Sequence, residues 1–464
     1  MKDLLRKIPK VDDILKDEAW AALARAGYPE GLAKEMLRDR LDDLRAAIMA
    51  GTESSIPPTE DLISGVRAGL GRAISPALKR VINATGIIIH TNLGRALLAP
   101  GAAEALANAA SHYVNLEYDL EGKARGDRYA HCASLLKRLT GCEDALVVNN
   151  NAGAVFLVLN TLAEGKEVVI SRGELVEIGG SFRIPDVMKK SGAILREVGA
   201  TNRTYKSDFE LALHEGTGLM MKAHTSNYKI KGFVREIGTE EMAALGKAHA
   251  IPTYFDAGSG LLLSLKELGI RGEPVIADEL AKGLDIISFS GDKLAGGPQA
   301  GIILGRTEYI EAMKKNPLTR ALRADKFTLA GLESTLVLYL DPKRAMEEIP
   351  ALRMLHADKE ALKRKAARMV KILKGRVKAC AFSVLPLSSE MGGGTLPDVS
   401  IPSFGIAVRP SNMSVHQLEE RLRGLETPII ARIEKDALLL DMRTILRDEE
   451  KALLAGIETA LADG

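Results

Sequence analysis

The segment Ser288-Phe-Ser-Gly-Asp-Lys293-Leu-Ala-Gly-Gly-Pro-Gln-Ala-Gly301 sets a single lysine in a turn of small residues. Apolar runs flank it, Asp285 to Phe289 before and Ala300 to Leu304 after. An amine displayed at the end of a buried strand, with little bulk around it, suits a Schiff base with pyridoxal phosphate. Ser290, three residues upstream, can reach the phosphate, and the glycines leave room for ring and substrate. The plain alternative is a glycine-rich strand turn with a solvated lysine.

Two further segments supply what that cofactor needs. Pro252-Thr-Tyr-Phe-Asp256-Ala-Gly-Ser-Gly reads as a short buried strand ending in an acid. A carboxylate beside the pyridine nitrogen keeps it protonated, and the ring then works as an electron sink. In Ala145-Leu-Val-Val-Asn149-Asn150-Asn151-Ala152-Gly153-Ala154, an apolar strand meets a polar turn and an apolar helix. Helix N-termini attract anions, and the small Ala152 and Gly153 let a phosphate approach the backbone. Asn151 fits both an N-cap and a cofactor contact. Alone, Asp256 reads equally as a turn cap, and the strand-turn-helix signal is weak. Phosphate cup, ring acid and imine lysine nevertheless occur in the order a parallel-sheet site requires.

Elements that position these residues follow from hydrophobic patterning. Val81–His90 is strand-like. The apolar runs 145–148, 167–170, 219–223, 253–255, 286–289 and 301–304 then alternate with helical patterns. This predicts βαβ units and a mostly parallel α/β sheet. Asn151, Asp256 and Lys293 all fall just beyond strand carboxyl ends, where such sheets bind ligands. Residues 1 to about 50 read as helical: Leu32, Met36, Leu37, Leu41, Leu44 and Ile48 keep a three-four spacing. Gly51-Thr-Glu-Ser-Ser-Ile-Pro57-Pro58 breaks that pattern. A long helix from Phe327 to about Ile349 leads to a C-terminal region with helices 357–374 and 415–425, strands 405–408 and 437–441, and a Gly392–Gly394 turn.

Arg95, Arg320 and Arg323 are candidate oxyanion ligands, since guanidinium forks match phosphate-like groups; surface ion pairing is the ordinary alternative. Arg443 is expected to pair with Asp441. The run Lys363-Arg-Lys365…Arg368…Lys371…Lys374 reads as a solvated helix face. The glycine-rich stretch from Glu174 to Pro185 has the composition of a loop lining a site, and equally of an ordinary connection.

The 464 residues allow two or three domains; 46% hydrophobic and 27% charged residues fit a globular chain. A net charge of +2 does not announce a nucleic-acid binder. Three cysteines without CxxC or metal spacing suggest a reducing compartment and no metal site. No signal peptide or membrane span is evident, so a cytoplasmic enzyme is expected.

Several longer motifs carry a family resemblance: Ile8-Pro-Lys-Val-Asp-Asp-Ile-Leu, His90-Thr-Asn-Leu-Gly-Arg95, Arg125-Gly-Asp-Arg-Tyr-Ala-His131, Gly173-Glu-Leu-Val-Glu-Ile-Gly-Gly-Ser-Phe-Arg-Ile-Pro185, His224-Thr-Ser-Asn-Tyr228, Gly291–Gly301 and Gly392-Gly-Gly-Thr-Leu-Pro397. Nearly the whole chain resembles the bacterial selenocysteine synthases, the L-seryl-tRNA(Sec) selenium transferases. Asp127 stands where serine is expected, and Gly153 where alanine is usual. The resemblance implies a fold-type I, aspartate aminotransferase-like large domain over residues 66–340, linker included. It adds an α+β small domain over 341–464 and a helical tRNA-binding domain over 1–65. It further implies that Lys293 and Asp256 serve pyridoxal phosphate, and that Arg95, Arg320 and Arg323 bind selenophosphate. Seryl-tRNA(Sec) would become selenocysteinyl-tRNA(Sec) through an aminoacrylyl intermediate, in a homo-oligomeric ring of dimers with sites between subunits. Ten basic and ten acidic residues in positions 1–50 point to RNA recognition by shape and local contacts. Two alternatives stand beside this reading: a lyase using the same cofactor on a small phosphorylated amino acid or amino sugar, and a tRNA-binding scaffold without catalysis.

Overall fold

The computed structural model describes residues 2–178, 182–225, 227–270, 272–396 and 399–462. Gly179, Gly180, Ser181, Ser226 and Pro397, which belong to three of the motifs above, lie outside the described residues.

The chain divides into two compact units, residues 1–80 and 81–464. In the first, helices Glu18–Arg25, Glu30–Ala50 and Thr59–Ile74 close on a core of Trp20, Leu23, Leu37, Leu41, Leu44, Ile48, Leu62, Val66 and Leu70. Leu32 and Met36 pack at its margin. The Asp17 carboxylate caps the first of these helices by accepting from the Ala19 N–H at 2.8 Å. Gly51 ends the second in the left-handed region, at φ 75°. Val66 and Leu70 belong to this core, so the unit runs past the expected residue 65.

The second unit is built on seven strands: β1 (Asp144–Val148), β2 (Glu167–Ser171), β3 (Ile194–Val198), β4 (Thr217–Ala223), β5 (Thr253–Gly258), β6 (Ile286–Ser290) and β7 (Gly301–Gly305). They lie in the order β1-β7-β6-β5-β4-β2-β3. Only β7 runs antiparallel to its neighbours. Alternate residues feed two cores: Val147, Val169, Met220, Phe255, Ile287 and Ile302 on one face, Leu146, Val168, Leu219, Tyr254, Ile286 and Ile303 on the other. Burial on both faces explains why these strands read as unbroken apolar runs. Each such side chain contributes roughly 1.5–3 kcal/mol on leaving water. The one polar handle in this set, the Tyr254 hydroxyl, is satisfied by Ser288 Oγ at 2.6 Å.

Four expectations are corrected. Of Val81–His90 only Ile82–Asn83 is a strand, paired in parallel with Ile429–Ile430. The chain then turns at Gly86, at φ 82°, where any side chain would collide with the buried Asp441 carboxylate. β3 was not anticipated, because its sequence ILREV is half polar and it lies at the sheet edge. The long helix after Phe327 is three helices, Lys326–Leu338, Pro342–Glu348 and Pro350–His356; each proline starts a new one, where its missing N–H is tolerated. In the C-terminal region, Cys380–Ser389 is a further strand. It pairs with Ile401–Pro410, which pairs in turn with Ala437–Asp441 and, beyond it, Arg432–Glu434. Helix Lys359–Arg376 covers this sheet, with Lys363, Arg364, Arg368, Lys371 and Lys374 exposed as expected and Leu362, Ala366, Met369 and Leu373 inward; Lys365 departs from the solvated face, its ammonium donating to Ile445 O at 2.6 Å.

Candidate active site

Lys293 stands in the turn after β6. Gly291 donates to Ala300 O at 2.9 Å, Gly297 to Gly291 O at 2.8 Å, and Gly296 to Lys293 O at 3.0 Å. Gly296 has φ 67°, and a Cβ on it would strike Ile349, so this turn admits no side chain there. The lysine is only 7% exposed. Burial pushes its ammonium below the ordinary lysine value and Arg95 adds to this, while Asp256 opposes it. The result is an amine readily made neutral, the nucleophilic form.

Asp256 lies inside β5, which is buried along its whole length and runs on to Gly258, so the strand does not end at the acid as expected. It accepts from Asn151 Nδ2 at 2.9 Å and from the Gly258 N–H at 3.1 Å. Burial raises its carboxyl above the usual range, while the Asn151 hydrogen bond and Lys293 pull it back. A cationic ring nitrogen beside it would hold it ionised.

Helix Asn151–Ala163 begins at the same edge. Its N-cap is Asn150, whose Oδ1 accepts from the Gly153 N–H at 2.8 Å. The capping role foreseen for Asn151 is thereby corrected: the preceding residue has the extended backbone a cap requires, which turns Asn151 towards Asp256. Asn151 Oδ1 is buried without a partner. Ala152 and Gly153 lie in the first turn, and a Cβ at Gly153 would sit 3.1 Å from both Asn149 Oδ1 and Leu322 Cδ2. Ser290, 6% exposed, ends β6 at the same edge.

Three groups were missed as site residues. His224 follows β4, and its N–H donates to Asp256 O at 2.8 Å. Its Nδ1 is buried and unpartnered, and burial, aided by Lys222 and Lys293, pushes its pKa down to about 4. Asp292 accepts from Arg95 Nη1 at 2.7 Å, with its other oxygen buried and unpartnered. Glu273 comes from the loop between β5 and β6. The run Gly291-Asp-Lys293 offered a signal for Asp292, and the end of an apolar strand beside that of Asp256 one for His224; Glu273 had none.

The three candidate arginines are placed in two groups. Arg95, held at φ 65°, joins Lys293 through Asp292. Arg320, in helix Leu318–Leu322, and Arg323, extended and bridged to Val148, instead line a cleft of about 440 Å³ with Arg125, Arg128, Lys314 and Lys315. The foreseen Asp441–Arg443 pairing is corrected. Asp441 accepts the Arg443 backbone N–H at 3.0 Å, and the guanidinium donates to backbone carbonyls of Met354 and, at 2.6 Å, Pro402. Arg443 therefore ties elements together rather than facing a substrate. Glu174 is buried and pairs with Lys222 Nζ at 2.6 Å, while Glu177 and Arg183 pair at 2.7 Å.

A buried amine, a carboxylate oriented by an amide and a helix start with small residues fit pyridoxal phosphate. Unpartnered buried atoms on Asn151, His224 and Asp292 mark where polar groups of a ligand belong. Among the described residues, no acid, histidine or cysteine cluster could hold a metal, and no helix is long and apolar enough to cross a membrane.

Comparisons with known proteins bear on the fold and the family. A solved D-glucosaminate-6-phosphate ammonia-lyase superposes with TM-score 0.58 over 85% of this chain and 98% of its own, at 21% identity, a likeness of fold. The L-seryl-tRNA(Sec) selenium transferase of Aquifex aeolicus is 48% identical, covering 100% of both chains. That of Moorella thermoacetica is also 48% identical, over 99% of this chain and 97% of its own. Residues 5–45 match the family described as selenocysteine synthase N terminal. Residues 81–446 match the L-seryl-tRNA selenium transferase family, and the chain belongs to that family.

Proposed function

We infer that this chain converts L-seryl-tRNA(Sec) to L-selenocysteinyl-tRNA(Sec), with selenophosphate as selenium donor and pyridoxal phosphate as cofactor. The observation carrying the reading is the meeting of Lys293, Asp256 and Asn151 at one sheet edge in a chain related over its full length to selenium transferases. When bound, the cofactor supplies an electron sink for the charge left at the substrate α-carbon. Lys293 holds the cofactor covalently, and its amine, once freed, takes the α-proton. Asp256 keeps the ring nitrogen protonated, and Asn151 fixes the carboxylate for that task. Ala152, Gly153 and Ser290 surround the phosphate; the Gly153 N–H already serves Asn150, so the donors of Asn151 and Ala152 carry most of that contact. Arg95, oriented by Asp292, receives the selenophosphate anion. Arg320 and Arg323 complete that subsite from a second copy of the chain, in a closed ring of dimers.

Residues 1–65, and the remainder of their helical unit, bind the tRNA. A lyase for a small phosphorylated amine has no use for this unit. The substrate's carboxyl is an ester, so no arginine is needed to hold it, consistent with Arg443 being committed to backbone carbonyls. The enzyme works in the cytoplasm, where charged tRNA is available. Single-turnover conversion of seryl-tRNA(Sec) with selenophosphate, with seryl-tRNA(Ser) as control, tests the reading. Failure on the first substrate refutes it; equal action on both refutes the tRNA selectivity.

A further inference from the structure

Removing water from a seryl group requires two proton movements: one leaves the α-carbon, and one must reach the departing hydroxyl, since hydroxide is a poor leaving group. The residues described so far account only for the first. Lys293 takes the α-proton. Asp256 is committed to the ring nitrogen, held by Asn151 and Gly258. Asp292 is tied to Arg95. His224 has a pKa of about 4 and carries no spare proton near neutrality.

One more acid reaches this site. Ser259, fully buried, lies just after β5, and its carbonyl accepts from the Leu294 N–H at 3.1 Å, one residue from the lysine. The Ser259 hydroxyl is in hydrogen-bond contact with Glu273 Oε1. The loop carrying Glu273 is pinned by a bridge between Leu261 and Val275 and by the Ile276 N–H donating to Leu261 O at 3.0 Å. Glu273 and Lys293 feel each other's charge, and the Leu396 N–H and Lys229 are the other polar groups that face the carboxyl. Burial raises the Glu273 carboxyl above the ordinary glutamate range, further than Ser259 and Lys293 lower it. A carboxyl whose burial favours its protonated form, held by Ser259 beside a catalytic amine, is suited to giving a proton away.

We propose that Glu273 is the general acid that protonates the serine hydroxyl as it leaves. The inference rests on the seryl-tRNA reading. In this step the Cα–H bond breaks, its proton passes to the Lys293 amine, and the electron pair left at Cα forms the new Cα=Cβ bond. The Cβ–O bond breaks with its electron pair on oxygen, and that oxygen takes the Glu273 proton and departs as water. Glu273 is left as a carboxylate and regains a proton from solvent before the next turnover.

The test uses the full chain with cofactor, and Glu273→Gln. Three quantities are read: the absorption band of covalently held cofactor, loss of deuterium from the α-position of labelled seryl-tRNA(Sec), and elimination from seryl-tRNA(Sec) against β-chloroalanyl-tRNA(Sec). Chloride leaves without a proton. The variant is expected to keep the band and the α-exchange, to eliminate from the seryl substrate about 100-fold slower or worse, and to process the chloro substrate at the unaltered rate. Unchanged elimination from serine overturns the proposal and assigns both proton transfers to Lys293. Equal loss on both substrates with the band intact also overturns it, making Glu273 a support of its loop. Should the glutamine variant lose the band, Glu273→Asp must restore serine elimination; if it does not, the proposal falls. Inactivity of the unaltered chain on seryl-tRNA(Sec) would instead sink the broader reading, so the two failures are distinguishable.

Discussion

Lys293 and Asp256 illustrate how one property, burial, prepares two groups for opposite tasks. Desolvation favours the neutral amine of the lysine and the neutral form of the acid; a pyridinium placed between them returns the acid to its charged form. Lys293→Ala should therefore abolish the band of covalently bound cofactor, and borohydride reduction followed by peptide mapping should place the label of the unaltered chain on Lys293. A label elsewhere would reassign the lysine. Asp256→Asn should retain cofactor but lose on the order of 10²–10³ in rate, the scale of removing one preorganised electrostatic partner. His224 gives a pH prediction for the cofactor-free chain. Its pKa is depressed from 6.5 to about 4 in the fold, so the unfolded chain binds a proton that the folded chain refuses. The associated stability is fully present above pH 6.5 and is lost as pH falls towards 4, by up to roughly 3 kcal/mol. Urea unfolding at pH 7 and pH 4 should show this loss, and His224→Gln should reduce it. Lys293 and Asp256 were legible in the sequence because Asp256 follows an apolar run and Lys293 sits in the small-residue turn after one, where a polar side chain stands out. Glu273 was not: nothing in Leu-Gly-Ile-Arg-Gly-Glu marks it, and only the folding back of its loop brings it to Ser259.

Among the elements, the strand-turn-helix after β1 separates two neighbouring asparagines by backbone conformation alone. Asn150 has the extended geometry of a cap and serves the Gly153 N–H; Asn151 is already helical and reaches across to Asp256. Asn150→Ala should lower stability by about 1 kcal/mol, as loss of a cap does, seen as a lower Tm of the cofactor-free chain. Asn151→Ala should spare the Tm more and reduce turnover more, because it frees the Asp256 carboxylate. The reverse ranking would return the cap to Asn151. Which of two adjacent asparagines caps depends on φ and ψ, so residue type alone could not decide. The inner strands were readable for the opposite reason: burial on both faces writes itself directly into composition. The edge strand β3 and the irregular Ile87–His90 stretch left no such trace. One is half polar, and the other follows a turn at Gly86, where a side chain would collide with Asp441.

At the scale of the molecule, removal of residues 1–80, a unit with its own apolar core, should abolish tRNA binding and leave the cofactor band intact; undiminished tRNA affinity would refute the role given to that unit. The division of the three arginines carries a sharper prediction. Within one chain Arg95 stands with Lys293 and Asp292, whereas Arg320 and Arg323 line another cleft. If all three serve one anion, as proposed, the subsite is completed when one copy faces another, with Arg95 and Arg320 drawn from different copies. Arg95→Ala and Arg320→Ala chains should each be inactive with selenophosphate alone. Unfolded together and refolded as mixed assemblies, they should regain activity, because some sites then receive the intact arginine from each partner. Mixed assemblies as inactive as the separate variants would place all three arginines in one subunit's site, or remove Arg320 from it.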